Sequence, residues 1–136
     1  MKKEANCTFK ITGWDENPYK EFESGAKLTR AKVSQAYEGD LSGEGSAEFL
    51  MSHAANGTAS FVGIELITGT LSGKTGSFII QHVGTYDSNG ACSTWAVLPD
   101  SGTGELIGIS GQGTYAATAE SVDMPFSYEI ENIATP

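Results

Sequence analysis

Short runs in which apolar and polar residues alternate, separated by glycine-rich turns, constrain the fold of this chain more than any other feature of its sequence. The runs Cys7–Thr12 and Phe126–Glu131 alternate residue by residue, which is the period of a β-strand with one dry face and one wet face. No segment keeps an apolar period of 3.6 residues for three helical turns. We therefore predict an all-β chain in which helix is a minor component.

Eight strands are predicted from the alternation and from the turn signals between the runs. A polar loop is predicted from Asp15 to Ser24, because Asn17-Pro18 lies there and proline lacks the donor that a central strand needs. Strands joined mostly by hairpins run up and down, and closing such a sheet removes its exposed edges. We expect one domain over residues 1–136, a closed or nearly closed antiparallel up-and-down barrel of about eight strands. The predicted strands are Cys7–Trp14, Lys27–Gly39, Glu44–Ala54, Thr58–Thr70, Gly76–Tyr86, Ala91–Leu98, Ile109–Ala119 and Met124–Glu131.

Charge and composition exclude several classes of partner. Seventeen acidic and eight basic side chains give a net charge of −9, so neither nucleic acid nor an anionic membrane surface is an expected partner. The first ten residues lack the apolar stretch of a signal peptide, and no run approaches the length of a membrane span, so a cytoplasmic location is expected. Cys7 and Cys92 have no Cys or His at ligand spacing. We expect both to be reduced and buried, with no metal or other cofactor.

The middle strands are apolar on both faces, which bears on assembly. An isolated barrel needs only a dry interior, so the second apolar face predicts a homo-oligomer. The alternative is that these are ordinary exposed aliphatic side chains, which are common when they are scattered singly. One face carries Phe49, Met51, Val62, Ile64 and Leu66, and the other carries Leu50, Phe61 and Ile67.

The dipeptide Asn56-Gly57 predicts a register for the central hairpin. Asn-Gly favours a two-residue type I′ turn, which places Ala55 opposite Thr58 and Glu48 opposite Glu65. If this face lies inside, burial and mutual repulsion make one carboxyl keep its proton at neutral pH. The next turn, Leu71–Thr75, brings His82 near Glu65.

Alternation does not decide which face is inside. The face with Phe49 and Ile64 is the more apolar, so the two glutamates lie in water if that face is the interior. Core packing is the more usual role of buried aromatic residues. The candidate ligand-binding residues are Glu65, Glu48, His82, Tyr37 and Tyr128, and no catalytic residue is assigned.

Five segments carry a resemblance to a known family. They are Lys27–Ala31, Glu48–Met51, Gly57–Glu65, Gly76–His82 and Gly102–Leu106. With them the chain resembles, over nearly its whole length, the bacterial domain-of-unknown-function family three-two-two-four. The resemblance implies the fold of the allene oxide cyclase barrel, an eight-stranded lipocalin-like and avidin-like calyx shared with plant dirigent proteins. It implies no catalytic residue, because that family has no established reaction and fold does not fix function.

Three functions remain open at this point. The first is binding of a small, mostly apolar molecule in the barrel lumen, with Glu65, Glu48 and His82 as polar anchors. The second is a cyclase or isomerase that uses a protonated glutamate as its acid. The third is a structural or interaction module with a filled core.

Overall fold

A computed structural model of the chain describes residues 2–117 and 121–131. Within that part the chain forms ten strands and one turn of 3-10 helix, Gly104–Leu106. The end of the predicted seventh strand, residues 118 and 119, lies outside the described residues. The strands are β1 Lys3–Ala5, β2 Cys7–Glu21, β3 Lys27–Gly39, β4 Leu41–His53, β5 Ala59–Leu71, β6 Lys74–Asp87, β7 Gly90–Val97, β8 Ile109–Ala117, β9 Ser121–Asp123 and β10 Phe126–Ile130.

The strands form one antiparallel, barrel-like sheet that curls around an apolar interior. The strand order is β1-β10-β8-β7-β6-β5-β4-β3-β2-β9, so β2 to β8 run up and down in chain order. The predicted class and connectivity are confirmed. The predicted count of about eight is too low, because Asn6 separates β1 from β2 and Met124-Pro125 separates β9 from β10. The predicted closed barrel is likewise corrected to a curled sheet whose strand order is open, with β1 and β9 at its ends.

The segment around Pro18 is a strand, and the predicted loop from Asp15 to Ser24 is wrong as far as Glu21. Strand β2 pairs with β3 through Pro18 and Lys20, with a register shift between these two residues. On its other side β2 pairs with β9 only from Thr8 to Lys10. The later part of β2 is therefore an edge within the described chain, where a missing N–H removes no ladder hydrogen bond.

The interior has two ends that are filled differently. At the first, which we call the packed end, Leu106 of the 3-10 helix is buried with side chains from β4, β5 and β6, namely Leu41, Ile67, Leu71 and Phe78. At the second, which we call the open end, a separate buried cluster comprises Ala31, Val33, Ala47, Phe49, Met51 and Phe61. Both are built from the inward residues of the same strands, because alternation along a strand sends every second side chain inside.

The outer face of β4, β5 and β6 carries exposed aliphatic side chains, which we call the outer aliphatic patch. Leu50, Val62 and Val83 lie side by side across the three strands. The patch comprises Leu50, Val62, Ile64, Leu66 and Val83, each between 45% and 56% exposed. Both predicted groupings of the central hairpin are therefore wrong, since Phe49 and Met51 point inward whereas Val62, Ile64 and Leu66 point outward. Within the described residues, no helix has the length and apolar character needed to cross a membrane.

Candidate functional site

The hairpin between β4 and β5 turns through three residues, and this changes the predicted register by one. The Ala54 N–H donates to the Thr58 carbonyl at 2.8 Å, and Gly57 has a φ of +92°. A three-residue loop that ends in a left-handed glycine is a common alternative to the two-residue turn. As a result Glu48 lies opposite Ile64 and Glu65 lies opposite Ala47. The predicted Glu48–Glu65 pair is wrong, because a one-residue slip sends the two side chains to opposite faces.

Glu48 lies on the outer surface. It accepts a hydrogen bond from Arg30 Nε at 2.8 Å and a second one from Nη2 of the same guanidinium. These hydrogen bonds and the charge of Arg30 hold the pKa of Glu48 below its ordinary value. The conditional prediction of a buried carboxyl pair, one member of which keeps its proton, therefore does not apply to Glu48.

Glu65 is fully buried in the middle of the interior and is held by two side chains. The Tyr37 hydroxyl donates to Oε2 at 2.5 Å, and His82 Nε2 lies 2.8 Å from Oε1. The predicted proximity of His82 to Glu65 is confirmed. Gly45 makes room for the carboxylate, since a Cβ at that position would overlap Glu65 Oε2 and crowd the Tyr37 ring.

The contacts continue from His82 to a serine on the next strand and to its tyrosine neighbour. His82 Nδ1 lies 3.0 Å from Ser93 Oγ, and Ser93 lies directly opposite Tyr115 across β7 and β8. Burial raises the pKa of Tyr115 to about 12; Ser93 opposes this shift and the charge of Glu65 adds to it. Burial and the charge of Glu65 also raise the pKa of Tyr37 well above its ordinary value.

One set of hydrogen positions satisfies every group in this chain. In it, Ser93 donates to His82 Nδ1 and His82 Nε2–H donates to Glu65, which leaves the Ser93 oxygen to accept from Tyr115, its neighbour across β7 and β8. The Tyr37 hydroxyl donates to the other carboxylate oxygen. Buried polar networks are stable only when all members are satisfied in this way. We call these five residues, Tyr115, Ser93, His82, Glu65 and Tyr37, the buried relay.

A cavity of about 720 Å³ lies at the open end of the interior. Its wall is mostly apolar, and Tyr115 is the member of the buried relay that lines it. The aromatic and aliphatic side chains in the wall are Phe9, Ile11, Trp14, Val33, Phe49, Met51, Phe61, Tyr86, Ala91, Tyr115 and Ala117.

Gln35 places an unsatisfied polar group in the cavity wall. The residue is buried, and its Oε1 has no hydrogen-bond partner within the described parts of the chain. A buried acceptor without a partner costs about 1–3 kcal/mol. A ligand that donates a hydrogen bond to this oxygen would remove that cost.

A second polar cluster lies at the rim of the cavity, around Glu16. The carboxylate accepts hydrogen bonds from Thr29 Oγ1 at 2.7 Å and Trp14 Nε1 at 2.9 Å, and His53 Nε2 lies 2.7 Å from it. Burial alone would raise the pKa of Glu16, but the hydrogen bonds from Thr29, Trp14 and His53 together lower it. The rim thus carries an acidic group whose two oxygens already have partners.

The predicted site residues separate into two groups. Glu65, His82 and Tyr37 come together in the buried relay, whereas Glu48 is outside. Tyr128 is buried on β10 with its ring 5.8 Å from that of Phe126, and it is not among the residues that line the cavity.

Sequence reasoning missed Ser93, Tyr115, Gln35 and the Glu16 cluster. A signal for Ser93 is present in the sequence, because it is the polar member of the inward series Ser93, Trp95 and Val97 on β7. Pairing β7 with β8 would then have identified Tyr115 as its neighbour. Glu16 was not identified because Pro18, two residues later, led to the prediction of a loop at this position.

Within the described parts of the chain, the thiols, carboxylates and imidazoles are too dispersed for a metal centre. In residues 2–117 and 121–131, no group of three or more His, Cys, Asp or Glu side chains is placed to hold a metal ion. Cys7 is buried and its Sγ lies 3.2 Å from the Met124 carbonyl, and both cysteines are free. The prediction that both are buried is wrong for Cys92, which is exposed on the outer face of β7.

Comparison with known proteins places this fold in a family. Residues 5–128 match the family model described as "Protein of unknown function (DUF3224)". The chain is similar to a protein with unknown function from the DUF3224 family of Shewanella oneidensis MR-1, whose crystal structure matches with a TM-score of 0.83 at 28% sequence identity. That match covers 97% of this chain and 100% of the other. No curated protein is a significant match. The chain belongs to DUF3224, a bacterial family of unknown function.

Proposed function

We propose that the protein binds one small, mostly apolar molecule in the cavity at its open end. The cavity itself carries the proposal, because protein interiors are normally packed without voids larger than a water molecule. Its volume of about 720 Å³ falls within the range of about 300–1,000 Å³ that is usual for ligand pockets. An apolar wall with a few polar groups is also typical of such pockets.

We also propose that the curled sheet forms the wall of this cavity, with the two ends of the sheet held near each other. Pairing of Lys3 with Tyr128 and of Thr8 with Asp123 supports this, as does the hydrogen bond from Met124 N to the Cys7 carbonyl at 2.8 Å. With β1–β2 and β9–β10 each taken as one broken strand, these contacts join the first strand to the last. The resemblance to allene oxide cyclase-like, lipocalin-like and avidin-like calyces is consistent with this wall, since eight-stranded barrels hold one small ligand.

The polar groups of the wall favour a neutral ligand. No Lys or Arg is among the described residues that line the cavity, whereas Glu16 is, and the protein carries a net charge of −9. An anionic ligand would therefore meet repulsion and no counter-ion. The unpartnered Oε1 of Gln35 favours a molecule with a hydrogen-bond donor, such as a hydroxyl or an amine.

Titration with N-phenyl-1-naphthylamine, a neutral aromatic amine that fluoresces in apolar surroundings, tests this function. We expect saturable binding of one molecule per chain. Ala91→Trp fills the cavity and should weaken binding at least tenfold, whereas Ala96→Trp places the same side chain on the outer face of the same strand and should not. The proposal fails if the wild type shows no saturable binding, or if both variants weaken it equally.

Gln35 provides a finer test of the ligand's chemistry. Gln35→Met keeps the length of the side chain and removes its amide. We expect the variant to lose affinity for N-phenyl-1-naphthylamine but to keep it for 1-phenylnaphthalene, which has no donor. Equal losses for the two probes would show that Gln35 does not select a donor.

We propose, as a separate matter, that copies of the chain associate through the outer aliphatic patch. The support is that Leu50, Val62 and Val83 are adjacent and about half exposed, and contiguous apolar surface of this kind marks interaction sites. Sedimentation velocity should show an oligomer that Val62→Lys dissociates and that Thr114→Lys, on the outer face of β8, leaves intact. A wild-type monomer at micromolar concentration would refute it.

A further inference from the structure

We infer that Tyr115 is a proton acceptor for the molecule in the cavity, so that the protein removes a proton from its ligand through the buried relay. This inference rests on the proposed binding of a ligand in that cavity. It assigns a reaction type, proton abstraction, to a side chain that the sequence did not single out.

The inference is based on the position of Tyr115, which lies both in the cavity wall and in the buried relay. Its side chain lines the cavity, whereas the other four members of the buried relay do not. Behind it, Ser93 Oγ lies 3.0 Å from His82 Nδ1, and His82 Nε2 lies 2.8 Å from Glu65 Oε1. Hydrogen bonds thus lead from Ser93, which lies opposite Tyr115 across β7 and β8, to a fully buried carboxylate.

The proton moves along this path as follows. The X–H bond of the ligand breaks, its electron pair stays on the ligand, and the proton bonds to the Tyr115 oxygen. The proton that Tyr115 held passes to Ser93, and the Ser93 proton passes to the lone pair of His82 Nδ1. The resulting imidazolium is stabilised by the carboxylate of Glu65, as in a serine, histidine and acid triad. No oxidant, reductant or co-reactant is needed.

The charge inside the barrel does not change during this transfer. Before it, the buried relay holds the negative carboxylate and the ligand is neutral. Afterwards, the imidazolium and the deprotonated ligand carry opposite charges beside the same carboxylate. The two new charges form a short distance apart in a medium of low dielectric constant, and no charge enters the site from water. The buried site is therefore suited to this step.

A purely structural role explains the buried relay less well. Replacing buried charged networks by apolar side chains of similar volume is often neutral or stabilising, and the surrounding interior is apolar. Position 45 is also occupied by glycine, and a side chain there would overlap Glu65. The reactive ligand class is then a neutral, mostly apolar compound with a weakly acidic C–H, N–H or O–H bond.

The probe for the test is 5-nitrobenzisoxazole, a small neutral aromatic compound. Removal of its C3 proton breaks its N–O bond irreversibly, and the coloured phenolate that forms is followed by absorbance. We expect saturable turnover by the wild-type protein. Tyr115→Phe and Ser93→Ala should lower kcat at least tenfold with little change in KM, since general base catalysis contributes about 100-fold to 10,000-fold. Tyr128→Phe, a buried tyrosine on the adjacent strand β10, should keep the wild-type rate.

Binding of N-phenyl-1-naphthylamine to the same variants separates the two proposals. If the dye binds to all of them and Tyr115→Phe turns over as fast as the wild type, or if the wild type does not exceed the buffer rate, the relay inference is overturned and the binding function stands. If the dye does not bind the wild type, both proposals fail. Should Tyr115→Phe not fold, as judged by circular dichroism, Ser93→Ala decides, because it interrupts the path without touching the cavity.

Discussion

The packed end and the open end of the interior are built from the same strands, yet one is solid and the other is hollow. At the packed end, Leu41, Leu71 and Leu106 have no exposed surface, whereas Met51 and Phe61 at the open end retain about 7% and border the cavity. The buried relay lies between the two. The filled core and the cavity are thus separated along the length of the strands.

The difference arises from what closes each end. At the packed end the segment with the 3-10 helix lies against β6, where the Ser77 N–H donates to Thr103 Oγ1 at 3.0 Å and Leu106 fills the interior. Gly76 allows this approach, because a Cβ there would overlap the Thr103 carbonyl. The open end has hairpins at residues 54–58 and 88–89, and these place no comparable apolar side chain inside.

The largest effect is expected from removing the Glu65 carboxylate, which lies between the packed end and the open end. Glu65→Ala leaves the Tyr37 hydroxyl and His82 without their buried partner. We expect a loss of about 3–5 kcal/mol in the free energy of unfolding, as for other broken buried pairs. Urea denaturation measures it, and Glu48→Ala on the outer surface is the control that should leave the midpoint nearly unchanged. Equal losses in the two variants would contradict the placement of Glu65.

The central hairpin shows how far the sequence could predict this site. Alternation correctly grouped the residues of each strand by face and placed Glu65 with Phe61 and Ile67, but it did not decide which face is inside. The register between the two strands depended on one turn, and Asn56-Gly57 is compatible with both a two-residue and a three-residue loop. Local chemistry at the turn did not decide between them, and so Glu48 was predicted to lie on the same face as Glu65.

The true two-residue turn with two positive φ values lies elsewhere. Ser72 and Gly73 have φ values of +48° and +87°, and they connect the pair Leu71 and Lys74. This is the type I′ pattern, but serine at the first position gave a weaker signal than asparagine. The cavity and the rim cluster could not be predicted at all, because they depend on how strands far apart in the chain curl together.

Truncation of the two ends should give unequal losses of stability. Leu71→Ala at the packed end creates a new void in a filled region, and we expect a loss of about 2–5 kcal/mol. Met51→Ala at the open end enlarges a cavity that already exists, so its loss should be smaller. The difference between the two midpoints in urea measures the contrast. A larger loss for Met51→Ala would show that the open end is as well packed as the other.

At the rim, a smaller effect should depend on pH. The pKa of Glu16 is lower in the folded protein than its ordinary value of 4.5, so its ionised form stabilises the fold at neutral pH. That contribution is lost as the pH falls through the folded pKa. The stability difference between wild type and Glu16→Gln should therefore be largest near pH 7 and shrink below about pH 4.5. A difference that stays constant from pH 7 to pH 3 would contradict the interactions described for Glu16.

Chemical labelling of the two cysteines is the mildest test, and it examines the packing of the sheet without a mutation. Cys7 belongs to the buried cluster of the packed end, where burial and the charge of Asp40 raise the pKa of its thiol to about 12. Cys92 is exposed on the outer face. Because the thiolate is the reactive form, a thiol reagent at pH 8 should label one cysteine per chain in the native protein and two in guanidinium. Rapid labelling of both cysteines in the native state would mean that the sheet opens near Cys7. The packed end would then not be tightly packed.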